Sequence, residues 1–168
     1  MSEQDGTQAT AFQHPTTSDP EAWRAFWQAQ GQPWRTEPEI NADRQRYLVE
    51  RRNIKSDIDQ GIYSFRDINP KLTRADIEWL LATHENSQGP VDWSDTSQRT
   101  RLGLDLRGAN LSCIDLRGLP LACMRGGLTG EEFDKAIPEQ RNLAGVLLEG
   151  ADLRRIHLEG ANLIRAHI

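Results

Sequence analysis

The chain has 168 residues, of which 37% are apolar and 27% charged, and no run approaches the roughly 18 apolar residues of a membrane-crossing helix. The net charge of −5 arises from residues 1–100, which carry 16 acidic and 11 basic side chains, while residues 101–168 carry nine of each. No clustered basic face is present, so neither a membrane nor direct nucleic-acid contact is expected.

Residues 1–18 are rich in Gln, Thr and Ser and lack the basic start and apolar stretch of a signal peptide. They read as a disordered tail on a cytoplasmic protein. Residues 19–102 hold all five tryptophans and both tyrosines and read as a helical region with its own core. Ser18-Asp19-Pro20-Glu21 starts a first helix, with Trp23, Phe26 and Trp27 on one face. Thr36-Glu37-Pro38-Glu39 is read as the start of a second, with Ile40, Tyr47 and Leu48 on a face. Thr73-Arg74-Ala75-Asp76 starts a third that aligns Ile77, Leu80, Leu81 and His84 before Gly89-Pro90 ends it. Residues 61–70 between them read as loop.

From residue 103 a period of five takes over. Leu106, Leu111, Leu116 and Leu121, then Leu148, Leu153, Leu158, Leu163 and Ile168, form a row of centres. The residues two before each centre are also all apolar, from Leu104 and Ala109 to Ala161 and Ala166. Five matches neither the 3.6 of a helix nor the 2 of a strand, so the apolar positions share one axis only if the chain turns a corner in every block. Gly108, Gly118, Gly150 and Gly160 stand two after a centre, where glycine takes a positive φ without steric cost. Asp105, Asn110, Asp115, Asp152 and Asn162 stand one before a centre, where a short polar side chain bonds to local backbone.

The blocks Ala109-Asn110-Leu111, Ala151-Asp152-Leu153 and Ala161-Asn162-Leu163 resemble the A-(D/N)-L-x-x signature of pentapeptide-repeat proteins. The resemblance covers residues 103–123 and 146–168. It implies an all-β solenoid, a right-handed quadrilateral β-helix, here with an N-terminal α-helical cap. Residues 124–145 break the period and are expected to form a helical insertion, with Thr129 and Glu132 as a capping box and Met124, Leu128, Phe133, Ile137 and Leu143 on its buried side. The last block at Ile168 leaves two expectations open, a fragment of a longer repeat protein or a homodimer through the C-terminal coil.

Enzyme chemistry finds little support. His84-Glu85 lacks the second histidine of a zinc-protease helix, and His157 and His167 fall on opposite sides of a four-sided coil. Cys113 and Cys123 are separated in the same way, so they are not expected to form a disulfide within one coil. No phosphate-binding or nucleophile motif occurs, and no catalytic residue, cofactor or metal is expected. The sequence therefore reads as a protein-interaction scaffold or adaptor whose partner is an unidentified protein, with Arg107, Arg117, Arg154, Arg155 and Phe133 as candidate contact residues. Two alternatives remain. Some pentapeptide-repeat proteins mimic duplex DNA and act on DNA gyrase or topoisomerase, but the balanced charge of these repeats fits that poorly; the other is a structural repeat module of a longer chain.

Overall fold

The computed structural model describes residues 13–168, which fall into two units, Met1–Pro38 and Glu39–Ile168. Residues 1–12 of the expected tail lie outside the described residues. In the first unit, helix α1 (Pro20–Ala29) begins where the Asp19 carboxylate accepts a hydrogen bond from the Glu21 amide. Proline at the first helical position costs nothing there, because its missing N–H has no intrahelical partner in any case. The indoles of Trp23 and Trp27 donate to the carbonyls of Thr17 and Glu37, drawing the flanking segments onto the helix. His14 and Phe26 complete a cluster of four rings, and the Arg35 guanidinium lies 3.4 Å over Trp27.

The second unit opens with α2 (Ala42–Arg52), capped by Asn41, whose side chain accepts from the Arg44 amide. The start expected near Thr36 is thus displaced by five residues to an asparagine closer to the apolar face around fully buried Leu48. Helix α3 (Arg74–Ala82) begins at the expected Thr73, which forms a capping box with Asp76, and ends before His84. Four further residues form α4 (His84–Ser87), kinked by the left-handed backbone of Glu85 and Asn86.

From residue 104 onward the five-residue blocks wind so that residues 20 apart meet. Asp105 bridges to Arg125 and Leu147 to His167, in parallel. Across the insertion the spacing becomes 37: Asn110 meets Leu147, Asp115 meets Asp152, Pro120 meets His157, and Arg125 meets Asn162. The difference from 20 means that 17 residues are looped out, and Arg125 keeps its place in the ladder on both sides. Met124-Arg125-Gly126 is therefore a further block, with glycine where a leucine centre is the rule. A Cβ on Gly126 would stand 2.9 Å from both the Asn162 carbonyl oxygen and a Val146 methyl, so no larger residue fits.

The all-β architecture expected from the repeats is overturned. Among the described residues there is no strand; the regular elements are helices, and the repeats are joined by isolated bridges. The period of five explains this. Each block contributes one bridged residue and then turns, so no two consecutive residues pair and no extended ladder develops. The turns adopt left-handed backbone at the expected glycines, Gly108 to Gly160, and equally at Cys113, Cys123, Arg155 and Arg165. Leu106, Leu111, Leu116, Leu119 and Val146 are fully buried on the axis, whereas the corresponding residues from Ala151 onward are half-buried and Ile168 is exposed.

Helix α3 lies against the first turn of repeats through Arg74. Its Nε meets Glu78 at 2.8 Å, while its Nη1 donates to the carbonyls of Asp115 and Arg117 at 3.1 and 2.9 Å. The Lys71 ammonium donates to the Ser112 carbonyl, and the His84 Nε2 donates to the Leu102 carbonyl. Unpartnered carbonyls at such an edge would each carry a desolvation penalty of about 1–3 kcal/mol. The insertion folds as α5 (Gly130–Lys135), with the expected Thr129–Glu132 capping box, and α6 (Pro138–Ala144). Its core joins Tyr63, Leu128, Ala136 and Ala144, with Ile58 and Phe133 alongside. Ile137 and Leu143, read from the sequence as part of its buried side, are exposed, because α6 buries Ala144 instead.

Arg74→Ala leaves the fully buried Glu78 carboxylate without its guanidinium. It is expected to destabilise the chain by about 3–5 kcal/mol, measured as a shift of the urea midpoint followed by tryptophan fluorescence.

Candidate functional site

The outward side chains are organised by a D-L-R spacing that occurs three times. In each, the aspartate accepts from the backbone amide two residues on and pairs with that residue's guanidinium. The Nη2–Oδ2 distances are 2.7 Å for Arg107–Asp105, 2.8 Å for Arg117–Asp115 and 2.6 Å for Arg154–Asp152. Because Asp115 and Asp152 are bridged neighbours, Arg117 also comes within 3.6 Å of Asp152, and Arg74 within 3.5 Å of Asp115. One face thus carries an alternating series of Arg74, Asp115, Arg117, Asp152 and Arg154. Its outer pairs are well exposed to water, which screens them, so each adds little to stability.

Of the candidate contact residues, Arg117 and Arg154 share this face. Arg107 does not: it is 2% exposed, clamps Asp105 through two nitrogens, donates to the Ser56 hydroxyl and lies 5.1 Å over the Tyr63 ring. Its Nη1 faces Glu132 of α5 at 3.8 Å. Arg155 is exposed at a corner with φ 57°. Phe133 is half-buried, with the guanidinium of Arg141 4.0 Å and that of Arg165 5.8 Å over its ring. The spacing of Asp105 and Arg107 matches that of the exposed pairs; Ser56, Tyr63 and Glu132, which bury Arg107, are too distant in sequence for local pattern to reveal.

These contacts hold the carboxylates ionised. The hydrogen bond from the Arg117 guanidinium, aided by the Arg117 amide and the charge of Arg74, outweighs partial desolvation and pulls Asp115 down to about 2. The Arg154 side chain lowers Asp152 in the same way. At Glu132, burial acts upward but is exceeded by the Thr129 amide and hydroxyl and by Arg107, so the net shift is downward.

A cleft of about 690 Å³ opens between the turn at residues 55–62, the face bearing Arg107 and Arg125, and the inserted helices at Glu132, Lys135, Ala136 and Gln140. Among the described residues no three His, Cys, Asp or Glu side chains are grouped to hold a metal ion. Cys113 and Cys123 are free thiols, and partial burial raises that of Cys123.

A model of pentapeptide repeats, of eight copies, matches residues 142–168. Residues 142–168 are therefore pentapeptide repeats. The earlier blocks lie outside the matched residues, but the bridges from Asn110, Asp115, Pro120 and Arg125 bind them to those pentapeptide repeats in register. No curated protein and no solved structure matches the chain. Pentapeptide-repeat proteins are in general non-catalytic.

Because Asp115 has its pKa depressed in the folded chain, its contribution to stability is present above the unfolded value near 3.8 and is lost as pH falls through about 2. The urea midpoint is expected to hold to about pH 5 and to drop between about pH 4 and 2. Asp115→Asn should be less stable than the parent at neutral pH and converge with it at the acidic end of a pH series.

Proposed function

We propose that this pentapeptide-repeat chain is a non-catalytic protein-interaction scaffold, and that the face carrying Arg117 and Arg154 receives a protein partner. The observation that supports this reading most is the Asp115–Arg117–Asp152–Arg154 series, in which exposed charges are already fixed in position by their neighbours. A surface ordered in this way loses little side-chain freedom on association, and its alternating sign suits a mixed polar partner rather than a polyanion. The same pairing argues against mimicry of duplex DNA, since each of these aspartates is neutralised by an arginine at under 3 Å.

The test is affinity capture of a partner from the host lysate by the full chain and by the double variant Arg117→Glu/Arg154→Glu, with cross-links located by mass spectrometry. Cross-links on this face and binding about tenfold weaker in the variant, equal to about 1.4 kcal/mol, are expected. Equal capture by both proteins, or inhibition of gyrase supercoiling by the parent, would contradict the assignment.

A further inference from the structure

We propose that the cleft beside the inserted helices is a docking site for a short acidic segment of a partner protein, one that carries two carboxylates around an apolar side chain. The proposal rests on the scaffold reading and adds a second contact to it, on a different part of the molecule. The cleft has about 690 Å³, within the range of roughly 300–1,000 Å³ of ordinary ligand sites. Its walls are all held in place. The turn at residues 57–62 is closed by reciprocal hydrogen bonds of 2.9 Å between the backbones of Asp57 and Ile62. Arg107 secures the inner wall through Asp105 and Ser56, and the Thr129–Glu132 capping box fixes the start of α5.

The charges around it differ in how far they are committed. Arg107 is consumed by Asp105, and Glu132 is engaged by the Thr129 amide and faces Arg107. Lys55 and Lys135 make no ion pair among the described residues. Arg125 lies 3.5 Å from Asp105, a carboxylate that already accepts two bonds from the Arg107 guanidinium, and its charge also acts on Glu132, which faces Arg107. Three cations at one cleft therefore lack a full partner, which is the complement of a carboxylate-bearing segment. Half-buried Ile58 and Ile62, which is 44% exposed, supply an apolar wall between them. Asp57 and Asp59 stand on the turn at the same mouth. They repel a continuous polyanion, so spaced carboxylates fit the site better than a nucleic-acid backbone.

The experiment is fluorescence anisotropy with the full chain and a labelled peptide carrying Glu-Leu-Glu in a neutral Gly/Ser frame. Gln-Leu-Gln and Lys-Leu-Lys peptides serve as comparisons, with inorganic phosphate and single-stranded oligonucleotide as competitors. Binding of the Glu-Leu-Glu peptide alone, weakened at least about tenfold by Lys55→Ala/Lys135→Ala and unchanged by Arg117→Glu/Arg154→Glu, is expected. Both lysines are exposed and unpaired, so the double variant keeps its fold. No binding, equal binding of the Gln-Leu-Gln peptide, preference for the Lys-Leu-Lys peptide, or displacement by phosphate or oligonucleotide at equal concentration would overturn the proposal. Capture of a partner that survives Lys55→Ala/Lys135→Ala would sink the cleft assignment while leaving the scaffold reading intact. Peptide binding without any captured protein would do the reverse.

Discussion

Arg74 and Glu78 stand one turn apart on α3, 7% and 0% exposed, with 2.8 Å between guanidinium and carboxylate. Taking two charges out of water is costly, and the attraction between them offsets that cost only when the remaining donors are also satisfied. They are, because the far nitrogen of Arg74 reaches two carbonyls of the first turn of repeats that take no backbone partner there. The pair therefore joins a helix to an edge that would otherwise expose its polar backbone. Around it, Arg44 clamps Asp76 through two nitrogens and Arg52 binds the carbonyls at the end of α3, so the helix is held at both ends by arginines of α2.

Everything further along the chain inherits its register from that edge. With the first turn fixed, each following block places one bridged residue and one corner, and the bridged residues stack in four columns. Stacking puts Asp115 beside Asp152, and local D-L-R geometry gives each its own arginine. The face that results is charged, ordered and nearly neutral. Its exposed charges are held in a fixed pattern by their neighbours.

Much of this was legible because it is local. The capping residues Thr73–Asp76 and Thr129–Glu132, the helix at Pro20 and the corner glycines are each set by residues within five positions. What escaped depends on distant contacts or on exceptions to a rule. Gly126 breaks the row of leucine centres because Val146 and Asn162 occupy the space a side chain would need, and so a block in perfect register was read as insertion. Cys113, Cys123, Arg155 and Arg165 take left-handed corners without glycine, since the bridges on either side of each corner impose the turn. The same frequent corners break the ladder into single bridges, which is why the strands implied by the family resemblance do not form. The burial of Arg107, finally, is decided by Ser56 and Glu132, far apart in sequence on either side of it.

The claim on which the account turns is that α3 and the first turn of repeats fold as one cooperative element. Native-state hydrogen exchange addresses it directly, by comparing the amides of Leu80 and Leu81 in α3 with those of Leu106, Leu111 and Leu116, which donate across the bridges. The account predicts a shared opening free energy for both sets in low denaturant. Exchange of the α3 amides by a separate, much easier opening that leaves the repeat amides protected would contradict it.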